Sequence, residues 1–214
     1  MRKTLLDNGF HSYLSEGANL VGIPQIPALL DLNNTSIPTK IIPYSKAKRV
    51  KSKRGYIHFY MHDKGFWTVL YDLKKHIGLF QQFDGLITPD PTLDMRQSRC
   101  LQESTVWFRQ AVGHFAQTHG IPVIPNVRWG DESTFDFCFL GIPKHSIVSV
   151  STHGFIDTHE LKAFFRNGLN RMIAELEPTD VLVHGYMPEE VFGGYENCTQ
   201  FHRYPSEIET AHSR

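Results

Sequence analysis

The chain has 214 residues, of which 41% are hydrophobic and 21% are charged, values that are ordinary for a globular protein of one domain. Lys plus Arg and Asp plus Glu both number 22, so the formal net charge is zero. The net charge therefore indicates neither nucleic acid nor an anionic membrane as a binding partner. The three cysteines form no CxxC pair, which excludes a zinc ribbon and a thioredoxin-like motif.

The amino-terminal sequence begins with basic residues but lacks the unbroken apolar run of a secretory signal. No apolar run approaches the roughly 20 residues that a membrane span needs. Unpaired cysteines are typical of a reducing compartment. We therefore expect a cytoplasmic protein without a membrane partner.

Residues 1–54 differ in composition from the rest of the chain. Four prolines lie within residues 21–45, and because proline fixes φ and removes a hydrogen-bond donor, they predict an extended segment rather than a helix. The segment ends in a basic run, which is either a solvated loop or a nucleic-acid contact. Its charged residues are Lys46, Lys48, Arg49, Lys51, Lys53 and Arg54. Residues 55–214 are predicted to form an α/β domain.

That domain alternates short apolar runs with amphipathic helical patterns. The runs predicted as strands are "YIHFYM", "DGLITPD", "IPVIP", "SIVSVSTHG" and "DVLVHGY". One helix is predicted over residues 98–120, ending at Gly120. A second is predicted over residues 157–178, with Asp157 as N-cap and Glu160 in a capping box. Residues 134–143 fit either a strand or a short helix.

Short strands separated by helices favour parallel pairing. We therefore predict an α/β fold with a mostly parallel sheet and flanking helices, either an open sheet or a small or incomplete (β/α) barrel. In such folds ligands bind beyond the carboxyl ends of the strands. Each predicted strand here is followed by polar residues on that side, which locates a candidate site.

The stretch "IPVIPNVRWGD" shows this most clearly, because a buried strand gives way to functional side chains. Arg128 could clamp an anion, and Trp129 could stack on a base. The alternatives are that Arg128 pairs with Asp131 or Glu132 and that Trp129 packs over the rim. The candidate ligand-binding residues are Asn126, Arg128, Trp129, Ser151 and Thr152.

For proton-transfer chemistry, the strand-end argument favours Asp90 together with His153 or His184 as catalytic residues. A Ser151 nucleophile with one of these histidines is a weaker alternative, because Ser151 lies in no elbow motif. The buried setting of Cys138, between two phenylalanines, predicts an inert thiol. No dinucleotide fingerprint or P-loop is present, so the sequence names no cofactor.

A metal site is a further alternative, and we assign no metal ligands from the sequence. The imidazoles and carboxylates considered are His58, His62, Asp63, Asp90, His153 and His184. No HxH or HExxH occurs, and His58 and His62 are too far apart along one strand to share an ion.

A set of motifs resembles one family. The motifs are "FDGLITPDPTLDM", "IPVIPNVRWGD", "FLGIPKHSIVSVSTHG" and "FRNGLNRMIAELEPTDVLVHG", with His58, Phe59, Asp63 and Phe66 upstream. Together they resemble the domain of unknown function 4417 family of bacteria, phages and other mobile elements, over residues 23–192. The resemblance implies a mobile-element context and supplies no chemistry.

Two functions remain open at this stage. The first is an enzyme acting on a small phosphorylated or nucleotide-like ligand at the strand ends. The second is a non-enzymatic accessory protein that binds nucleic acid, through the basic run, or a host protein.

Overall fold

The computed structural model describes residues 13–30 and 35–212. Residues 1–12, where a secretory signal was sought, lie outside the described residues. The strands are β1 (Leu20–Val21), β2 (Ile26–Pro27), β3 (Ile41–Pro43), β4 (Tyr56–His58), β5 (Gly85–Ile87), β6 (Val123–Ile124), β7 (Ile147–Ser151), β8 (Asp180–His184) and β9 (Gln200–Tyr204). The helices are α1 (Tyr44–Ala47), α2 (Trp67–Tyr71), α3 (Ile77–Phe80), α4 (Arg99–Thr118), α5 (His159–Leu176), α6 (Glu189–Phe192) and α7 (Glu207–His212).

Seven strands, β3 to β9, follow one another in space in the order in which they occur in the chain. Strands β3 to β6 form one parallel sheet and β7 to β9 form another. A parallel bridge between Asn126 and Ser149 connects the two. Strands β1 and β2 form a separate antiparallel pair. The predicted α/β fold with parallel strands and flanking helices is confirmed.

All five runs predicted as strands are strands in the structure, as β4 to β8. Strands β3 and β9 were not predicted. Strand β3 and helix α1 lie within residues 41–54, so this part of the segment set apart by its prolines contributes to the main sheet. Pro43 is tolerated because β3 is the edge strand of its sheet, where a missing ladder donor costs little.

Side chains along β3 to β9 alternate between the two faces of the sheet, and those on one face of each of these strands contribute to a single inner cluster. Since side chains on a strand alternate with period two, one inward residue per strand is enough to build it. Its members, from β3 to β9, are Ile41, Tyr56, Ile87, Ile124, Ile147, Leu182 and Tyr204. The sheet therefore curves around a common interior, as in a (β/α) barrel.

The opposite face of the strands packs against the two long helices. Helix α4 covers β4 to β6, with Val112 and Phe115 in the same cluster as Ile57 and Leu86. Helix α5 covers β7 and β8, where its apolar residues meet valines at alternate strand positions. None of the helices in the described part of the chain combines the length and the apolar character that crossing a membrane requires.

The curvature brings β4 beside β8 across the interior, where the His58 and His184 rings lie 4.9 Å apart. At the other side the Tyr204 hydroxyl donates to the carbonyl of Pro38, 2.5 Å away, just before β3. Burial raises the pKa of this hydroxyl to about 12. No ladder joins β9 to β3 among residues 13–30 and 35–212, so the barrel is incomplete.

The predicted ends of the long helices need one correction. Helix α5 is capped by Thr158 and not by Asp157, because the Thr158 hydroxyl accepts the Leu161 N–H at 3.3 Å. At the end of α4, Gly120 takes a left-handed φ of +75° directly after the C-cap. Residues 135–141 form consecutive turns, neither the strand nor the helix considered for them.

Gly168 of α5 tests how tightly this helix packs on the sheet. A Cβ atom there would lie 2.0 Å from Nε1 of Trp129, so we expect Gly168→Ala to lower the free energy of unfolding by about 1–3 kcal/mol. Gly78→Ala in α3 is the matched control, because a Cβ there meets no atom within 4 Å. Its stability should be unchanged or higher by up to about 1 kcal/mol. Urea unfolding curves measure both, and equal stability of the two variants would contradict this packing.

Cys138 provides a second test of the core. Its side chain is fully buried, and burial raises the pKa of its thiol to about 12. Cys100 and Cys198 are exposed. At pH 8 we expect Ellman's reagent to modify two thiols of the native protein rapidly and the third only after denaturation. Rapid reaction of all three thiols without denaturant would show that the Cys138 environment is open.

Candidate functional site

A cavity of about 490 Å³ lies at the carboxyl ends of the strands, and residues on or after each of β3 to β9 line it. They are Pro43, Ser45, Tyr60, Met61, His62, Asp63, Asp90, Thr92, Arg128, Ser151, His153, His184, Ser206, Glu207 and Ile208. We call this the mouth cavity. In (β/α) folds this is the face on which sites are built.

Three aromatic rings pack together at and behind the inner end of the mouth cavity. The ring of Tyr60 lies 4.6 Å from that of His184 at an interplanar angle of 20°, and the ring of His58 contacts both. His58 is 1% exposed and His184 is 3% exposed. His58 and His184 point inward from β4 and β8. Their strand neighbours Ile57 and Val183 face the outer helices, and side chains alternate along a strand.

Glu207, at the start of α7, brings a carboxylate to the two imidazoles. Oε1 lies 3.4 Å from Nε2 of His58, and Oε2 lies 3.5 Å from Nε2 of His184. Neither contact has hydrogen-bond geometry, and both buried Nε2 atoms lack a hydrogen-bond partner within the described ranges. We call His58, His184 and Glu207 the His–His–Glu cluster.

The charges in this cluster are set by its surroundings. Burial lowers the pKa of His58, which keeps the imidazole neutral near neutral pH. Burial alone would raise the pKa of Glu207, but its contacts with His184 and His58 outweigh burial and hold the pKa well below its usual range. The cluster therefore pairs an ionised carboxylate with a neutral His58.

The other ring nitrogen of each histidine has a partner. Nδ1 of His184 lies 3.2 Å from Oγ of Ser151, which also accepts the backbone N–H of His153 at 3.3 Å. Nδ1 of His58 accepts the backbone N–H of Tyr60 at 3.3 Å. These contacts orient both rings so that the Nε2 atoms face Glu207.

A second polar group lies on the wall of the mouth cavity. Asp90, whose side chain is 10% exposed, accepts Nη1–H of Arg128 and Nδ2–H of Asn126, both at 2.9 Å. The Arg128 guanidinium also lies 5.1 Å from the centroid of the Phe155 ring. Arg128 thus pairs with Asp90, and pairing with Asp131 or Glu132 is excluded for this structure. Those acids instead accept from Ser133 and Asn167.

Most of the predicted site residues lie at or directly behind the mouth cavity. Ser151, His153 and His184 line the mouth cavity together with Asp90 and Arg128. Asn126 is buried behind Asp90.

Two predicted ligand-binding residues face elsewhere. Thr152 is buried and donates to the carbonyl of Tyr186 at 2.8 Å, and Trp129 is buried against Phe165. Trp129 therefore packs against its neighbours, which was the alternative to stacking on a base. None of the hydrogen bonds of the described chain joins Asp90 to either of the histidines proposed as its partner.

The sequence did not identify Tyr60 or Glu207 as candidate site residues. The Tyr60 hydroxyl lies 2.6 Å from Oγ of Ser149 and donates to Oδ1 of Asn126 at 3.2 Å, so it connects β4 to β6 and β7. Alternation with Tyr56 and His58 could have placed Tyr60 on the inner face. Glu207 follows β9, and that strand was not recognised.

The mouth cavity carries more negative than positive charge. Asp63, Asp90 and Glu207 line it, against the single guanidinium of Arg128. Counting the carboxylates and the guanidinium alone, this is a surplus of two negative charges, which disfavours a free phosphate and favours a cation.

The basic run lies on α1 and the loop that leads to β4, and it begins directly after Ser45, although none of its six residues lines the mouth cavity. Of its six side chains, all but Lys53 are exposed. The ammonium of Lys53 donates to the carbonyl of Ala47 at 2.5 Å and lies 5.0 Å from the centroid of the Phe83 ring.

The fold and this cavity define an α/β protein with a polar site at the carboxyl ends of sequentially ordered parallel strands. The chain belongs to the family described as Domain of unknown function (DUF4417), whose model matches residues 18–204. The resemblance seen in the sequence is thereby confirmed.

Two phage proteins are similar to the chain. The Gene 1 protein of Mycobacterium phage L5 is 30% identical over 158 residues, covering 70% of this chain and 69% of that protein. The Gene 1 protein of Mycobacterium phage D29 is 31% identical over 131 residues, covering 61% of this chain and 48% of that protein. No solved structure matches the chain.

Removing the Tyr60 hydroxyl tests the polar network behind the mouth cavity. Tyr60→Phe leaves Oδ1 of the buried Asn126 without this donor, so we expect the free energy of unfolding to fall by about 1–2 kcal/mol. Tyr186→Phe is the control, because Tyr186 is 56% exposed. Denaturant unfolding of the two variants measures the difference, and a Tyr60→Phe variant as stable as the parent would contradict the network.

Proposed function

We propose that the mouth cavity is the active site of an enzyme that acts on a small ligand, either phosphorylated or nucleotide-like. The observation that carries the proposal is the convergence of polar side chains from seven successive strands on one cavity. A volume of about 490 Å³ suits such a ligand, because pockets for small molecules typically span about 300–1,000 Å³.

Arg128 is the group proposed to orient the ligand. Its Nη1–H is used by Asp90, and its other donors make no hydrogen bond with the described residues. A guanidinium has five N–H donors in a planar fork, so several are available to an oxyanion. Asp90 and the Phe155 ring hold the fork in place, which lowers the entropy lost on binding.

His153 is the group proposed to transfer protons. Its side chain is exposed at the edge of the mouth cavity, and its imidazole makes no hydrogen bond or ion pair with the described residues. Its backbone is fixed by the N–H donated to Ser151. An exposed imidazole that can reach a bound ligand is suited to general acid–base catalysis.

A second candidate function is that of an accessory protein that binds nucleic acid. Five exposed cationic side chains in the basic run favour it, since phosphate contacts dominate such binding. In that case the basic run, and not the mouth cavity, determines binding.

A thermal-shift screen against nucleotides, phosphosugars and short nucleic acids tests the proposal. A ligand present at about 100 times its dissociation constant should stabilise the protein by roughly 2.7 kcal/mol. We expect one class of small molecule to do so, and Arg128→Ala to abolish the shift. Arg171→Ala is the matched control, because Arg171 forms an exposed pair with Glu175 on α5.

The same ligand then tests His153. His153→Gln should retain the shift but lose turnover, because the imidazole is assigned to proton transfer and not to binding. A shift produced only by nucleic acid, lost in high salt and on neutralising residues 46–54, would overturn the enzymatic proposal in favour of the accessory role.

A further inference from the structure

We propose that the His–His–Glu cluster binds one divalent transition-metal ion, and that zinc is the ion its donors fit best. The role of this ion in catalysis rests on the function proposed above, whereas its binding is measured separately. Two imidazoles and one carboxylate are a donor set that zinc, iron(II) and manganese(II) accept.

The spacing of the donor atoms supports the site. Donors about 2.0–2.1 Å from a tetrahedral ion lie about 3.3–3.4 Å from one another. The two carboxylate oxygens of Glu207 lie 3.4 Å and 3.5 Å from the Nε2 atoms of His58 and His184. All three residues offer a donor within 4.8 Å of the others. The two short contacts use different oxygens of Glu207, so the donor atoms would have to draw closer together around one ion.

The unsatisfied nitrogen atoms are an independent observation. Both Nε2 atoms are buried without a hydrogen-bond partner in the described part of the chain, and each such atom costs stability. A bound ion would give both atoms a partner at once.

The contacts around the rings decide which proton positions metal binding needs. For Nε2 to bind an ion, Nδ1 must carry the proton. In His184 that proton can be donated to Oγ of Ser151, 3.2 Å away, as ligating histidines usually require.

In His58 the same proton position displaces the N–H of Tyr60 from Nδ1. That contact is 3.3 Å long, at the weak end of hydrogen bonds. Its loss is small beside the free energy of metal binding to buried imidazoles.

The charge of the mouth cavity gives the ion a function. Three protein donors would leave one position of a four-coordinate ion free, and two of the three residues, His184 and Glu207, line the mouth cavity. A dication offsets the surplus of two negative charges, so a phosphorylated ligand that the carboxylates would repel can enter. We infer that such a ligand binds together with the ion, with Arg128 on its other side.

The test is titration of the chelator-treated full chain with zinc chloride in a calorimeter, with bound metal counted by mass spectrometry. We expect one equivalent to bind. His58→Gln, His184→Gln and Glu207→Gln should each weaken binding by at least about 100-fold, since even outer partners of metal sites contribute 10–100-fold. His202→Gln is the control, because His202 pairs with Asp180, 2.7 Å away and outside the mouth cavity lining, and it should bind like the parent.

Circular dichroism identifies any variant that fails to fold. For such a case, the ¹⁵N resonances of His58 and His184 in the unsubstituted protein provide a second readout, and both Nε2 signals should shift on adding zinc. Absence of saturable binding, or shifts confined to other histidines, overturns the proposal.

The two proposals fail separately. One equivalent of zinc bound without stabilisation by any small molecule supports the metal site and refutes the proposed active site. A ligand whose affinity is unchanged by the chelator supports the active site and refutes the role of the metal in it. Manganese(II) or iron(II) binding more tightly than zinc at the same three residues supports the site and corrects the choice of ion.

Discussion

The structure depends on parallel pairing of β3 to β9 in chain order. Parallel strands point the same way, so all seven carboxyl ends lie at one face, and period-two alternation decides which side chain of each strand looks inward. Ile147, Ser149 and Ser151 of β7 show the consequence, as the inward row passes from apolar to polar towards the carboxyl end. The inner cluster and the mouth cavity are successive layers of one arrangement.

The polar layer is costly for stability. Two buried imidazole nitrogen atoms without hydrogen-bond partners in the described part of the chain are an arrangement that lowers stability. In contrast, the buried Thr152 and Trp129 are satisfied by their own neighbours.

Much of the fold could be predicted from the sequence because its main elements have local hydrophobic patterns. The five apolar runs and the two long amphipathic helices carry their own periodicity, and the rule for strand ends pointed to the face where Asp90 and Arg128 line the mouth cavity. The features that could not be predicted depend on contacts between residues far apart in the chain. Strand β9 is half-exposed and shows no apolar run, and the two isoleucines of β3 lie among prolines that predict irregular extended chain. Without β9, Glu207 had no assigned place. His58 was compared with His62 along one strand, although its partner, His184, lies across the interior.

The central claim is that β3 to β9 assemble one functional centre at their carboxyl ends, with the His–His–Glu cluster within it. A crystal structure of the full chain grown with zinc tests this most directly, using anomalous scattering at the zinc absorption edge. The account predicts a strong anomalous peak about 2.0–2.2 Å from Nε2 of His58, Nε2 of His184 and a carboxylate oxygen of Glu207. Well-ordered crystals with zinc only at other surfaces, and with the three side chains unchanged around an empty site, would contradict it.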